Sequence, residues 1–371
     1  MAANEWEERV LDGRVWDAFC DRLRDAGAFV EREGVPRDLE TRALGYRFLT
    51  RILRAGLERN VDYADPQYPA FYRVADETKK ILNDNPDNLY QTCEIDSRFD
   101  YRISGSRGTV GWFSIGAKGG AGTIAGMTST GEIDSSQIRF DAEGRFEVML
   151  SQSPRAENWL PLTDASTNLV VRQTFGDRTK EKPAELTIEC LNPERSNNNL
   201  DPRTLEDRLQ GTLHYLESTV ELGLKWTRGY KESTLNQLPM HDQSILRAAG
   251  GDPTICYYQS HWALGPEEAL CVTIEDLPEC ATWNFQLSDF WMESLEHRFF
   301  EISVNKFTAR SEEDGTIRIL VAHADPGPTH PNWLNTLGYR EGGMLGRIVG
   351  ATGGWPQQWR TEVVSFADVA S

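Results

Sequence analysis

Two similar stretches decide the fold: Asp141-Ala-Glu-Gly-Arg-Phe-Glu-Val-Met-Leu-Ser151 and Glu312-Glu-Asp-Gly-Thr-Ile-Arg-Ile-Leu-Val-Ala322. In each, an acidic turn with a glycine precedes alternating apolar and polar residues, which is typical of a β-hairpin. Asn-Trp-Leu then follows at 158–160 and again at 332–334, ahead of an apolar segment that ends at Arg172 or Arg347. Because these features recur in the same order, the sequence predicts an internal duplication.

The segments around the two stretches also have the texture of strands. They are short, rich in β-branched and aromatic residues, and separated by Gly, Asp and Ser. In the first region they span 99–104, 110–115, 146–151, 169–175 and 186–191, and a second strand-rich region runs from 254 to about 349. This pattern predicts antiparallel strands.

Helices are predicted outside these regions. Apolar residues at three- and four-residue steps predict an amphipathic helix over 14–33, a second opened by Pro36, a short one over 74–82, and a long one that starts at Asp201-Pro202. The predicted fold is mainly β with α: a duplicated antiparallel β-sandwich, jelly-roll-like, with an N-terminal helical segment and a central connecting helix. The predicted regions are 1–85 helical, 86–200 first sandwich half, 201–250 connecting helical, and 251–371 second sandwich half.

The composition of the chain limits the classes of binding partner and the location that we expect. The formal net charge of -18 disfavours nucleic acid and anionic membranes. The N-terminus lacks the features of a signal peptide, and no apolar window is long enough to span a membrane, so a cytoplasmic location is expected. The six cysteines form no Cys-x-x-Cys pair, which favours free thiols over zinc. The expected partner is a small-molecule ligand, and the sequence is compatible with a homo-oligomer.

Several motifs carry a family resemblance. They are Asn85-Pro-Asp-Asn-Leu-Tyr-Gln91, Tyr101-Arg-Ile-Ser-Gly-Ser-Arg-Gly108, Asp325-Pro-Gly327 and Pro331-Asn-Trp-Leu-Asn-Thr-Leu-Gly-Tyr-Arg-Glu-Gly-Gly-Met344. With these motifs the chain resembles the DUF1214 family, whose function is undefined and which often accompanies a DUF1254 region. The resemblance implies a jelly-roll-type β-sandwich beside a helical domain. The chain departs from the family at Tyr339 and near Asn305, where histidines are expected, and the DUF1254 region is absent.

One aromatic and acidic stretch is the first candidate site. It runs from Trp283 to Glu293 and is followed by His297 and Asn305. Such residues are typical of an apolar pocket with a few polar groups, in which burial would raise a carboxyl pKa for acid-base catalysis. The predicted catalytic residues are Asp289, His297 and Asp325, and the predicted substrate-binding residues are Trp283, Trp291, Asn305, His323 and Arg340. The alternative is that these aromatic residues pack in the core.

Three other features have two interpretations each. His323-Ala-Asp325 resembles part of an iron site, but it equally fits a turn at Asp325-Pro-Gly, so no metal is predicted. Arg340 and Arg347 suit an anion, or they pair with internal carboxylates such as Asp325; the matching Arg172 favours the structural role. The glycine-rich run over 116–126 is interpreted as a long turn, at a pocket mouth, rather than a nucleotide site.

The leading functional hypothesis is an enzyme without a redox cofactor. It would act on a small organic molecule by acid-base chemistry in a pocket of the C-terminal sandwich, and no cofactor is expected. The alternatives are a non-catalytic small-molecule or glycan-binding protein, suggested by the eleven tryptophans, and a metal-dependent oxygenase. The sequence does not decide whether the chain is an enzyme.

Overall fold

A computed structural model describes residues 5–120, 124, 126–191, 200–356 and 358–370. The helices are α1 Glu5–Leu11, α2 Arg14–Ala26, α3 Leu39–Leu57, α4 Leu205–Ser233, α5 Gln243–Arg247 and α6 Phe366–Val369. Two 3-10 turns, Gly27–Glu31 and Pro202–Thr204, extend α2 and precede α4, and a π turn, Glu58–Asp62, extends α3.

The strands form two groups. The first group is β1 Asn88–Glu94, β2 Tyr101–Ser106, β3 Trp112–Gly119, β4 Thr128–Asp134, β5 Arg145–Ser151, β6 Trp159–Pro161, β7 Ser166–Thr174 and β8 Glu185–Cys190. The second group is β9 Leu238–Pro239, β10 Ile255–Ala263, β11 Glu268–Ile274, β12 Thr282–Leu287, β13 Ser303–Asn305, β14 Ile317–Ala322, β15 Trp333–Asn335, β16 Glu341–Val349 and β17 Gln358–Ser365.

Each group builds one sandwich of two sheets, and both sandwiches have the same strand order. The first sandwich has sheets β1-β7-β3-β4 and β6-β5-β2-β8. The second has β10-β16-β12-β13 and β15-β14-β11-β17-β9, which is the same order with nine added to each strand number and β9 added at one edge. The pairs β5/β6 and β14/β15 are parallel, and the other named strand pairs are antiparallel. The prediction of a mainly β sandwich fold with added helices is confirmed.

The repeated Asn-Trp-Leu occupies one structural role in both sandwiches. The Asn158 side chain accepts a hydrogen bond from the Arg139 backbone N–H and donates one to its carbonyl, at 2.8 and 2.9 Å. Asn332 makes the same two bonds with Arg310, both at 2.7 Å. The tryptophan that follows each asparagine donates from its indole to the strand beside it. This tripeptide therefore fixes the start of a parallel strand in each sandwich.

The three largest apolar cores of the described residues hold these layers together. One fills each sandwich, since alternate strand residues point inward, such as Tyr101, Ile103 and Val148 in the first and Tyr258, Trp262 and Phe285 in the second. The third core joins α2, α3 and α4. Helix α4 also packs against β10 of the second sandwich, so the helical layer is fixed to the β part of the fold.

The N-terminal helices differ in their boundaries from the predictions. The second helix begins at Leu39 instead of Pro36, because the Asp38 side chain accepts from the Thr41 backbone N–H at 2.8 Å and caps it. The predicted helix over 74–82 does not form. There the Asp76 carboxylate accepts from the backbone N–H groups of Thr78 and Lys79, a local turn that competes with helix formation. The helix predicted at Asp201-Pro202 is confirmed.

All six cysteines are free thiols in the described chain. Among the described residues no helix combines the length and apolar character needed to cross a lipid bilayer. Part of the glycine-rich run, residues 121–123 and 125, lies outside the described residues.

Candidate functional site

A cavity of about 180 Å³ lies between the two sandwiches and the helical layer. Strands β1 and β7 of the first sandwich and β10 and β16 of the second line it, and α4 adds Tyr215 and Trp226. Ile124 of the glycine-rich run and Met127, which follows it, line the cavity as well. We call this the inter-sandwich cavity.

Strand alternation explains which residues reach this cavity. On β7, Leu169 and Val171 point into the sandwich core, so the residues between and after them, Val170 and Arg172, point outward. On β10 and β16 the same alternation turns five residues outward to the cavity. They are Ile255, Tyr257, Gln259, Leu345 and Arg347. The cavity is therefore bounded by the outer faces of one sheet from each sandwich.

One arginine of each sandwich donates a hydrogen bond to a turn of the other sandwich. The Arg172 Nη2 donates to the carbonyl of Gly250 at 2.6 Å, in the turn before β10. The Arg347 Nη2 donates to the carbonyl of Asn83, in the turn before β1. Both turn residues have left-handed backbones, with φ of 83° at Gly250 and 62° at Asn83. The two contacts therefore match each other and tie the sandwiches together.

The two arginines differ in their ionic partners. The Arg172 Nη1 lies 3.9 Å from the Asp252 Oδ2. Arg347 forms no ion pair with a described residue, and its Nη1 donates instead to the neutral Gln286 side chain. It is 5% exposed, so its charge is almost fully removed from solvent. A buried guanidinium without a counter-ion is costly, and it would be stabilised by an anion.

The pKa values of the two arginines are shifted in opposite directions, in line with the difference in their ionic partners. Burial alone would lower the pKa of Arg172, but Tyr257, Asp252 and other acidic neighbours raise it above its ordinary value. Burial lowers the pKa of Arg347, and the phenols and carboxylates near it offset this only in part. Both guanidinium groups stay protonated, because an arginine pKa starts far above neutral pH. The surroundings therefore disfavour the charged form at Arg347 and favour it at Arg172.

The remaining charged groups at the cavity have partners. Arg59 pairs with Glu94 at 3.2 Å. Asp84 accepts from both the backbone N–H and the hydroxyl of Ser294, at 3.0 and 2.7 Å. Burial raises the pKa of Tyr257 to about 12, so its phenol stays protonated.

Four buried polar atoms on the cavity-lining residues have no hydrogen-bond partner among the described residues. They are both side-chain polar atoms of Gln259, the Arg172 Nη1 and the Asn83 Nδ2. Gln259 is 1% exposed, so its amide is removed from bulk water. Buried amide groups are nearly always hydrogen-bonded in folded proteins, because an unpaired one costs free energy. Three of the four atoms are donors, which suits a ligand that offers acceptors.

Comparison with solved structures shows a close relative. The crystal structure of an uncharacterized protein from Burkholderia cenocepacia matches with a TM-score of 0.93 and 41% identity, over 97% of this chain and 99% of that chain. The chain belongs to the same family as this Burkholderia protein. The VPA0106 protein from Vibrio parahaemolyticus matches with a TM-score of 0.50 and 13% identity, over 93% of this chain and 100% of that chain, which shows a shared fold only.

No family model and no curated protein matches the chain. The DUF1214 resemblance therefore stays a prediction. The family of the Burkholderia protein is established by overall sequence and structure, and the match says nothing of what either protein binds.

The residues predicted from the sequence do not form one pocket. None of the eight lines the inter-sandwich cavity. Trp283 lies in the core of the second sandwich, edge to face with Trp359 at 6.2 Å. Trp291 lies in the helical core and donates from its indole to the Thr41 carbonyl. The core-packing alternative therefore describes both tryptophans.

The predicted polar residues Asp289, His297 and Asn305 lie in separate places, while Asp289 and Glu293 lie together beside Arg47. Asp289 is buried, and its Oδ1 accepts from the backbone N–H groups of Trp291 and Glu293. Asn305 caps a turn through the N–H groups that follow it, and its Nδ2 donates to the Gly176 carbonyl. The segment from 289 to 300 is irregular, so Glu293 and His297 share no helical face.

His297 lies in a crevice that shares lining residues with the cavity. It lines a narrow crevice together with Asp84 and Tyr90, both of which also line the inter-sandwich cavity. Burial and the neighbouring Lys80 lower the pKa of His297. A neutral imidazole is therefore expected there.

The C-terminal predictions belong to loops. The Asp325 carboxylate is exposed and accepts from the Gly327 N–H at 2.8 Å, the turn that was the alternative interpretation. His323 contacts Thr336, at 2.7 Å between Nδ1 and Oγ1. Arg340 is exposed, and Arg347 does not pair with Asp325. Among the described residues no three metal-ligating side chains cluster, so the oxygenase hypothesis gains no support.

Sequence reasoning missed the residues that line the cavity. Arg172 and Arg347 were noticed as matching residues and interpreted as structural, and Tyr257 and Gln259 were not singled out. One available signal was a repeated pattern: Asn85-Pro86 and Asp252-Pro253 each precede a strand, and a tyrosine, Tyr90 or Tyr257, follows four residues after the proline.

Proposed function

We propose that this protein binds a small organic anion, with a carboxylate and an apolar body, in the inter-sandwich cavity. The observation that carries the proposal is Arg347, a buried guanidinium at the cavity wall that has no ion-pair partner among the described residues. A carboxylate matches the planar fork of a guanidinium and would neutralise it.

The rest of the lining supports an amphipathic ligand. Many of the lining side chains are apolar, including Ile81, Leu82, Val170, Trp226, Leu246, Ile255 and Leu345. Small-molecule sites are commonly built in this way, with apolar walls for the body of the ligand and a few polar groups that orient it. The unpartnered donors on Arg172 and Gln259 would add hydrogen bonds to its oxygen atoms.

Binding is favoured over catalysis by the lining chemistry. Its described members include no histidine, cysteine, serine or lysine, and their one carboxylate, Asp84, has both oxygens bonded to Ser294. Acid-base catalysis needs a group that exchanges protons within reach of the substrate. The hypothesis of catalysis by Asp289, His297 and Asp325 has less support, because these residues lie apart.

A glycan-binding role is also less supported. Sugars stack on exposed tryptophan faces, but Trp16 on α2 is the only exposed tryptophan among the described residues. We also infer that the two sandwiches arose by duplication, which the common strand order and the matched arginine contacts support.

Thermal unfolding with matched acid and amide pairs tests the proposal. Hexanoate and benzoate are expected to raise the Tm, whereas hexanamide and benzamide, which lack the charge, are expected to leave it unchanged. Ligand at a hundred times its Kd stabilises a protein by about 2.7 kcal/mol. Arg347→Gln is expected to abolish the effect, and Arg340→Gln, which removes an exposed guanidinium seven positions away, is the matched control. The proposal is wrong if no acid raises the Tm or if the amides act equally.

A further inference from the structure

We infer that the inter-sandwich cavity selects ligands with a single negative charge, because one of its two matched arginines is already neutralised by the protein. This inference rests on the proposed function and adds the class of ligand. The difference lies at one pair of matched positions, which is occupied by Asn85 before the first sandwich and by Asp252 before the second.

Asn85 and Asp252 are matched by their backbone contacts. The backbone N–H of Asn85 donates to the Tyr90 hydroxyl at 3.0 Å, and that of Asp252 donates to the Tyr257 hydroxyl at 3.1 Å. Each side-chain Oδ1 also accepts from the backbone N–H two residues later, at 3.0 and 2.9 Å. The two turns are therefore the same structure with a different side-chain charge.

Each of these side chains reaches the arginine region of the opposite sandwich. Ser114, which lies opposite Arg172 on paired strands, donates to Asp252 at 2.8 Å. Asn284, which lies opposite Arg347, donates to Asn85 at 2.8 Å. Asp252 thus supplies a carboxylate beside Arg172, and the matched position beside Arg347 holds a neutral amide.

The consequence is an asymmetric charge in a cavity with matched walls. Arg172 has a fixed internal counter-ion, so a ligand carboxylate placed there would face Asp252. Among the described residues Arg347 has no carboxylate within ion-pair distance, and Asp84 and Asp87 offset its burial only in part, so one ligand carboxylate is neutralised there. A second carboxylate would find no free guanidinium among the described lining residues. Like charges close together in a buried site repel strongly, which disfavours a dianion.

Gln259 indicates which functional group the ligand has at the end away from its carboxylate. Tyr257 lies opposite Arg347 on the paired strand. Gln259 is two residues further along the same strand face, so its Cα lies roughly 7 Å from that of Tyr257. Its unpartnered amide offers both a donor and an acceptor. The ligand class that fits is a monocarboxylic acid with an apolar body and a neutral polar group, such as a hydroxyl, toward that end.

Calorimetric titration with hexanoate and with adipate, its dicarboxylate of equal chain length, tests this inference. The wild-type protein is expected to bind hexanoate at least about tenfold more tightly than adipate. Asn85→Asp places a carboxylate beside Arg347 and is expected to weaken hexanoate binding by about tenfold or more. Its fold is expected to persist, because Asp252 accepts equivalent bonds at the matched position, although Asn85→Asp removes the bond that the Asn85 Nδ2 donates to the Asn88 Oδ1 at 3.3 Å. Asp252→Asn frees Arg172 and is expected to tighten adipate binding.

The possible failures are distinguishable. Equal binding of hexanoate and adipate by the wild-type protein overturns the inference and leaves the proposed function standing. Unchanged hexanoate affinity in folded Asn85→Asp also overturns it, and the thermal unfolding of that variant shows whether it is folded. If the wild-type protein binds neither acid, the proposed function fails, and the inference fails with it.

Discussion

Arg172 and Asp252 form an ion pair across the two sandwiches, at 3.9 Å between Nη1 and Oδ2. Arg172 belongs to β7 of the first sandwich and Asp252 to the turn before β10 of the second. Burial would raise the pKa of Asp252, but Arg172 and hydrogen bonds from Thr254 and Ser114 lower it below its ordinary value. This pair is therefore charged and buried, and it should be sensitive to the loss of either member.

Arg172→Met is expected to lower the free energy of unfolding by about 3–5 kcal/mol, because it leaves Asp252 charged and unpaired in the interior. Asp252→Asn should lower the free energy of unfolding less when it is added to Arg172→Met than when it is made alone. Urea unfolding of the two single variants and the double variant measures the coupling. Additive costs would mean that the two residues act independently.

Gln259→Met is expected to stabilise the ligand-free protein by about 1–3 kcal/mol, because it removes a buried amide that has no hydrogen-bond partner in the described part of the chain. The same change should weaken binding of 6-hydroxyhexanoate more than that of hexanoate, since only the former has a group for the amide. Unfolding and titration of one protein sample measure both effects. A destabilised variant would show that the amide is bonded within the folded chain.

The pair Asp289 and Glu293 is expected to make stability depend on pH. Burial raises the pKa of Glu293 to about 8, and the neighbouring Asp289 carboxylate adds to this; two arginines, Arg51 and Arg47, offset it only in part. The folded state then holds a proton that the unfolded chain releases at lower pH. The contribution of Glu293 to the free energy of unfolding therefore falls as the pH rises from about 5 to about 8.

Glu293→Gln mimics the protonated carboxyl and is expected to reduce that slope. The matched control is Glu296→Gln. Burial is outweighed there by the Arg298 guanidinium, which lowers the pKa of Glu296 to about 2, so its titration lies below this range. Urea unfolding across the range gives the slopes. An unchanged slope in Glu293→Gln would show that the carboxyl is ionised throughout.

Trp283→Ala is expected to cost about 3–5 kcal/mol of unfolding free energy, because it opens a cavity in the core of the second sandwich. It should leave hexanoate binding unchanged in the folded protein. Trp16→Ala, at an exposed position, is expected to change stability by less than about 0.5 kcal/mol. Loss of binding in folded Trp283→Ala would restore the pocket predicted from the aromatic stretch.

Local patterns explain why the fold could be predicted while the site could not. Alternation at 146–151 and 169–175 identified strands, because the period of two is a property of consecutive residues. The partner of Arg347 is the Asn83 carbonyl, 264 positions away in sequence, and no local pattern indicates that contact. The prediction for 74–82 failed because one side chain, Asp76, captures the backbone N–H groups that a helix would need.

The aromatic stretch shows a second limit of sequence reasoning. Trp283 and Trp291 suit a pocket and a core equally well by residue type, and only packing separates the two. Conversely, Arg172 and Arg347 were interpreted as structural because they match, and each does hold a turn of the other sandwich. The difference between Asn85 and Asp252 gives the two arginines unequal charge environments, and this required the three-dimensional pairing.

A crystal structure with bound 4-iodobenzoate tests the central claim most directly, because the anomalous signal of iodine locates the ligand without ambiguity. We predict one site in the inter-sandwich cavity, with the carboxylate paired to the Arg347 guanidinium and the iodine against the apolar walls. A carboxylate bound instead at Arg340, or near Asp289 and His297, with the inter-sandwich cavity free of iodine, would contradict the claim.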